Sequence, residues 1–477
     1  MIKQSKNKSK EDDKLDNEKL FREGKIAKTI LNLSIPLVIS QVINVLYNLV
    51  DRIYVGNIPV IGDEALAGLG IAFPTIMIVS AFAALFGTGG APIASILMGE
   101  GKKNKAQQTM MNSFVMLIII GIVLTAVILI FDVELLYLFG ADASVLEYAK
   151  EYLDIYAIGT VFVLISIGMT AYITAQGFSK VAMLTVSIGA FLNIVLDPLF
   201  IYTFEMGVAG AALATVISQA VSAVFVLVFL AGKKPLIRLS FRKFRLNRKT
   251  VLAITFLGVS PFIMNATESL VQIVFNNQIG KYAGEDYTIY INLITIMLSV
   301  MTIISLPLAG LAQGAAPLIS YNFGYGNMDR VKKAAKFLIK VCFFYSLGFY
   351  LLIFLFPNFF VIIFNDNPKL LKIAPRLFRI FFLGISIFGI QIACQNIFMA
   401  LRQSMISLFL ALLRKVILLV PFAFIFPKYY GIDGVFYAEP AADILAVITT
   451  AIAFKISFNK ILDNKLHELA LNNFGKE

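Results

Sequence analysis

P-I-A-S-I-L-M-G-E-G, from Pro92 to Gly101, and P-L-I-S-Y-N-F-G-Y-G, from Pro317 to Gly326, spell one pattern, P-x-x-S-x-x-x-G-x-G, at a distance of 225 residues. Each copy ends a long apolar run and is followed by bases: Lys102, Lys103 and Lys105 after the first, Arg330, Lys332 and Lys333 after the second. The same 225-residue offset pairs Pro36 with Pro261, Ala175 with Ala400 and Ser179 with Ser404, while Gly207 and Gly431, like Gly210 and Gly434, stand 224 apart. Two halves of one length, each closing an apolar helix on the same basic turn, are the mark of a duplicated membrane transporter.

Of 477 residues, 59% are hydrophobic and 15% charged, with a mean hydropathy of +0.83. That is more apolar surface than a soluble core can hide, so the solvent is lipid. Apolar stretches fall near 28–55, 65–90, 107–131, 147–171, 181–203, 208–231, 250–280, 287–312, 333–357, 374–400, 405–427 and 432–456. They predict an all-α integral membrane protein of twelve transmembrane helices, six per half. The runs are continuous rather than alternating, which excludes a closed β-barrel of short tilted strands. Residues 1–25 read as a polar, lysine-rich cytoplasmic tail, and the apolar run after them is too long for a cleavable signal.

A net charge of +12 and a pI near 9.4 raise the question of nucleic acid, but the bases sit in alternate loops. Their role is topological. Lys233, Lys234, Arg238, Arg242, Lys243, Arg245, Arg248 and Lys249 crowd the connection between spans six and seven, whereas the intervening loops carry Asp63, Glu64, Glu205, Glu285 and Asp286. Both termini are thereby predicted to be cytoplasmic. Lys369, Lys372 and Arg376 break the pattern and are read as riding an amphipathic segment at the interface. Cys342 and Cys394 lie in apolar spans without a motif, so no disulfide framework is expected. With no Trp in the chain, interfacial anchoring falls to tyrosines such as Tyr287, Tyr290, Tyr429 and Tyr430.

An even number of spans per repeat gives both halves the same orientation, related by a pseudo-two-fold axis along the membrane normal. The expected domains are an N-lobe at 26–231, a basic linker at 232–249, a C-lobe at 250–456 and a cytoplasmic tail at 457–477. Two such lobes predict a cleft and alternating access.

Polar residues inside the spans carry the chemistry. Span one places Gln41, Asn44, Asn48 and Asp51 on one helical face by spacings of 3, 4 and 3; span seven does the same with Asn265, Glu268, Gln272 and Asn276. The amides suit interhelical hydrogen bonds or a wet cleft equally, while the acids point to function. Asn193 and Asp197 lie one turn apart on span five, just before Pro198. At about 1.5 Å rise per residue, Asp51, Asp197, Thr215 of span six and Tyr152 of span four fall at similar depth. Two carboxylates, an amide, a hydroxyl and a phenol form an oxygen-rich nest for Na+, or for a proton held between carboxylates that cannot both stay ionised. In the second half, Arg414 of span eleven and Asp443 of span twelve fall near mid-membrane and are expected to form a structural ion pair, with Glu439 also on span twelve. The 15 Met and 42 Phe suit a cleft for aromatic cations as well as they suit lipid-facing filler.

These residues are where the chain resembles the multidrug and toxic compound extrusion (MATE) family. The stretch from Pro36 to Gly56 with A-L-A-G-L-G at 65–70, N-I-V-L-D-P-L-F-I at 193–201 and G-V-A-G-A-A from Gly207 are similar to that family's first two, fifth and sixth spans. The likeness covers nearly all of residues 28–456, in the manner of the MepA-like bacterial branch. It implies a two-lobe exporter in the bacterial cytoplasmic membrane that expels amphipathic organic cations in exchange for Na+ or H+, with no other cofactor. It also implies an N-lobe cation site at Asp51, Asn193, Asp197, Thr215 and either Tyr152 or Tyr156, with Glu268 as the acid of span seven.

No GxxxxGK[ST] is present, so no ATPase subunit is expected and an ion gradient is the simpler motor. The single histidine, His467, leaves no constellation for an enzyme. A lipid-linked oligosaccharide flippase of the same wider superfamily is the competing reading; it calls for several bases deep in the lobes to hold pyrophosphate, and the first lobe shows acids instead.

Overall fold

A computed structural model describes residues 18–141, 143, 145–241, 244–364 and 367–474, and among them every regular element is helical. In hydrocarbon each backbone N–H and C=O must be answered inside the chain, and continuous helices do that at least cost. The twelve long helices are α1 (Ile26–Gly56), α2 (Gly62–Gly99), α3 (Lys103–Ile130), α4 (Leu146–Ala175), α5 (Ser179–Thr203), α6 (Gly207–Ala231), α7 (Arg248–Tyr282), α8 (Tyr287–Tyr325), α9 (Met328–Leu355), α10 (Pro368–Ala400), α11 (Ser404–Tyr430) and α12 (Ile432–Phe474). Over the described residues, α1–α6 and α8–α12 are long and apolar enough to cross a membrane. The 35-residue α7 has the length and is the polar seventh span of the sequence reading.

The chain divides into two compact units at residues 265/266, inside α7. In the first unit α4 is central, packing on α2, α3 and α6, while α1 lies along α5 and α5 along α6. In the second, α10 packs on α8, α9 and α12, and α11 on α12. The duplicated sequence thus produces the same order of packing twice. The segment before α7 is fastened to the first unit by two buried amides: Gln176 Oε1 accepts from the Ile237 N–H at 2.9 Å, and Asn112 Oδ1 accepts from the Asn247 N–H at 2.9 Å. That accounts for a boundary inside α7 and not in the basic segment.

The repeated motif has a structural reason. Gly101 and Gly326 adopt φ of 75° and 90°, the left-handed region that ends a helix without steric cost only for glycine. Ser320 Oγ donates to the Ala400 carbonyl at 2.9 Å, so the motif serine closes the C-terminal end of α10.

Two features go beyond the sequence reading, and a third answers it. Residues 18–23 are helical, with Phe21 fully buried and Glu18 paired to Lys103 at 2.5 Å. Helix α12 runs to Phe474, since Phe458 and Leu462 are buried and Lys465 lays its ammonium 5.9 Å from the Phe323 ring. The first turns of α10, Pro368–Phe381, bury Leu370, Ala374, Leu377, Phe378 and Phe381 while Lys369, Lys372, Arg376 and Arg379 face outward. That is the amphipathic segment expected of the exceptional bases.

With lipid on the outside, helices associate by close packing of small residues. On α2, a Cβ at Gly87 would lie 2.6 Å from the Gly168 Cα of α4, and one at Gly89 would lie 2.7 Å from the Gly258 Cα of α7. A Cβ at Gly258 would lie 1.9 Å from the Leu85 carbonyl oxygen, which is backbone and cannot swing aside. Gly258→Ala is expected to destabilise the protein by about 1–3 kcal/mol, the usual cost of overpacking, read as a lower thermal midpoint in detergent. Gly70→Ala, with nothing within 4 Å of the added atom, is the matched control and should melt with the wild type.

Candidate functional site

Helix α1 buries residues 29, 30, 33, 34, 36, 37 and 40, then none until Asp51 and Val55. Asp51 is therefore a buried acid at the end of a stretch of α1 that the unit leaves open. Helix α5 meets it with Asn193 and Asp197, both on its buried face. Pro198 lacks an N–H, and the chain after it widens into a π-helical turn, Leu199–Thr203, an irregularity common at functional sites. Tyr202 in that turn donates its hydroxyl to the Tyr54 carbonyl at 2.7 Å, and the two rings meet edge to face at 6.4 Å. This bond ties the end of α5 to the end of α1 and so fixes the two aspartates against each other.

The side chains converge. Asn193 Nδ2 donates to Asp197 Oδ1 at 3.0 Å and to Thr215 Oγ1 of α6 at 3.3 Å. The Asp51 and Asp197 carboxyls lie close enough to act on each other electrostatically, and Tyr152 lies near Asp51 and Thr215. Tyr152 and Tyr156 of α4 stack at 6.2 Å and are both buried. Tyr47, one turn before Asp51, adds a phenol close to both aspartates. Arg52, next in sequence to Asp51, turns its guanidinium over the Phe73 ring at 5.0 Å instead of pairing with the acid.

Asp51 Oδ1, Asn193 Oδ1 and Asp197 Oδ2 are buried and have no hydrogen-bond partner. Three bare oxygens, two of them on carboxyls, are costly unless something positive is bound among them. Two carboxylates about 4 Å apart repel by about 4 kcal/mol even at an effective dielectric of 20. A hard monovalent cation or a shared proton answers both problems. The pocket offers oxygen from an amide, a hydroxyl and two carboxyls, donors of the kind that a hard cation takes.

Asp51, Asn193, Asp197, Thr215 and Tyr152 thus come together, with Tyr156 beside Tyr152. Gln41, Asn44 and Asn48 do not join them: Asn44 is exposed, Gln41 and Asn48 are half-buried, and Asn48 Nδ2 donates back to the Asn44 carbonyl at 2.6 Å. The side chains of Asn265, Glu268 and Gln272 lie outside the described residues. Tyr47 and Tyr202 escaped the sequence reading; Tyr47 had a signal in its spacing of four from Asp51, Tyr202 none.

In the second unit, Arg414 Nε donates to Asp443 Oδ1 at 2.6 Å and a terminal guanidinium nitrogen to Glu439 Oε1 at 2.9 Å. The pair is a triad. Its guanidinium lies 4.3 Å from the Phe388 ring centroid.

The MatE family model matches residues 36–199 and again 261–425, its two starts 225 residues apart. The chain belongs to the MatE family. Among curated MatE relatives, the multidrug export protein MepA of Staphylococcus haemolyticus (strain JCSC1435) is 23% identical over 92% of this chain and 94% of its own. MepA of Staphylococcus aureus (strain NCTC 8325 / PS 47) is 24% identical over 90% and 93%. Among solved structures, a MATE in the bent conformation superposes with a TM-score of 0.88 at 25% identity, covering 94% of this chain and 99% of that one. An outward-facing multidrug resistance MATE transporter of the MOP superfamily gives 0.85 at 25% identity, covering 92% and 98%. The chain is a multi-pass membrane transporter of two lobes and twelve helices.

If Asn193 clamps Asp197 to Thr215, Asn193→Ala should cost about 1–3 kcal/mol, because a buried acceptor loses its donor. Thr215→Val removes only the longer bond and is expected to cost less; thermal midpoints of the two purified variants in detergent check the order.

Proposed function

We infer that this transporter exports amphipathic organic cations in exchange for Na+ or H+, with coupling at the pocket of Asp51, Asn193, Asp197 and Thr215. The three unpartnered oxygens there carry the reading, since they give a small cation or a proton a reason to bind and a carboxyl pair to bind to. Multidrug export by relatives that align end to end with this chain supports the choice of substrate class. Binding at the pocket neutralises the acid pair and favours one packing of α1 against α5; release restores repulsion and favours the other. By linkage, an ion that prefers one conformation drives the exchange only to the extent of that preference. The bases of alternate loops support both termini inside, and the staphylococcal relatives support the cytoplasmic membrane of a bacterium.

Asp51→Asn and Asp197→Asn are each expected to abolish resistance of an expressing host to cationic dyes and drugs with membrane expression unchanged; full resistance in either variant refutes the site. Dye efflux from inverted vesicles should follow an imposed Na+ or H+ gradient without ATP. Imposing each gradient alone identifies the ion, and efflux that needs ATP while ignoring both removes the antiport reading.

A further inference from the structure

The two lobes treat the same place in the repeat differently. The 224-residue offset that pairs Gly207 with Gly431 sets Glu439 opposite Thr215, while apolar residues stand opposite Asn193 and Asp197 at either offset, Ile417 or Leu418 and Pro421 or Phe422. In the second lobe the polar groups of the fifth helix are gone, and the sixth helix, α12, supplies the acids instead. Both lobes break the fifth helix into a π-helical turn, Leu199–Thr203 in α5 and Leu413–Leu419 in α11, the second about three helical turns earlier in the repeat. The second of these turns carries Arg414 and Lys415, both buried.

Everything around Arg414 is shaped to hold a planar cation. Glu439 and Asp443, 4% and 1% exposed, each accept from its guanidinium, at 2.9 and 2.6 Å. Phe388 closes one face of the guanidinium at 4.3 Å. Helix α10 tightens into a 3-10 turn at Phe382–Gly384, and a Cβ on Gly384 would lie 2.4 Å from the Asp443 Cβ and 2.9 Å from its Oδ2. Only glycine there leaves the carboxyl its position. Lys415 acts electrostatically on Asp443, so the cluster holds two cations and two acids.

We propose that Arg414 is a tethered cation, its guanidinium permanently filling in the second lobe an acid pocket of the kind that the first lobe leaves open to a mobile ion. That pocket then takes up no mobile ion. The occupant is covalently attached, so it pays no entropy of association and cannot leave during the cycle.

The proposal rests on the first-lobe reading only for the comparison, and its test is run with that site disabled. Asp51→Asn and the double variant D51N/R414A are purified in detergent and melted with and without millimolar methylguanidinium, the piece of side chain that Arg414→Ala removes. The double variant should melt below Asp51→Asn and recover most of the loss with methylguanidinium, with no gain from equal KCl or urea; Asp51→Asn alone should ignore all three. Equal melting of the two proteins, or no gain beyond KCl, overturns the proposal. If Arg414→Ala yields no folded protein, R414M/E439Q decides, because it removes one cation with one acid and leaves Lys415 to balance Asp443. A folded double variant without a methylguanidinium response supports the tethered cation, and failure of that variant to fold overturns it.

Discussion

Hydrocarbon offers no hydrogen bonds, so every polar atom that this chain carries into the membrane has to be answered from within its own bundle. Most are answered locally. Ser40 donates to the Pro36 carbonyl, Thr170 to Ser166, Thr295 to Ile291 and Thr302 to Leu298, each back along its own helix. Against that background, Asp51, Asn193 and Asp197 bring three buried oxygens without a partner into one pocket. A buried carboxyl pair without a fixed partner is what a site for a mobile ion requires. The Arg414 triad is the opposite solution, in which the partner is built in.

Close packing makes such a site possible. The glycines of α2 bring α4 and α7 to backbone contact, which leaves α1 and α5 to shape a pocket between their ends. The helices are regular through their lengths and irregular where the acids sit. The π turn after Pro198 holds Tyr202, and the π turn of α11 holds the buried Arg414 and Lys415. Tyr202 then converts the irregularity of α5 into a fixed distance from α1.

The two lobes are built alike and equipped differently. Repetition of the P-x-x-S-x-x-x-G-x-G turn, with its left-handed glycine, preserves the scaffold because helix endings and helix contacts depend on backbone geometry. The polar positions are free to diverge, since a side chain on an inner face can be exchanged for another of opposite charge if its neighbours change with it. A threonine at 215 and a glutamate at 439 show how far that divergence has gone.

By itself the sequence determined the solvent, the number of spans, the repeat and five residues of the site, because hydropathy, a 225-residue period and helical spacing are properties of a line of residues. Asp51 and Asp197 were legible as acids that lipid would reject. Only the tertiary structure decided that Gln41, Asn44 and Asn48 stand apart from them although they share their helical face with Asp51, that Tyr47 and Tyr202 belong to the site, and that Glu439 completes the ion pair of Arg414 and Asp443. Those outcomes depend on where neighbouring helices cross and where a helix widens or tightens. A crossing is set by side chains hundreds of positions apart, and one-dimensional periodicity carries no record of it.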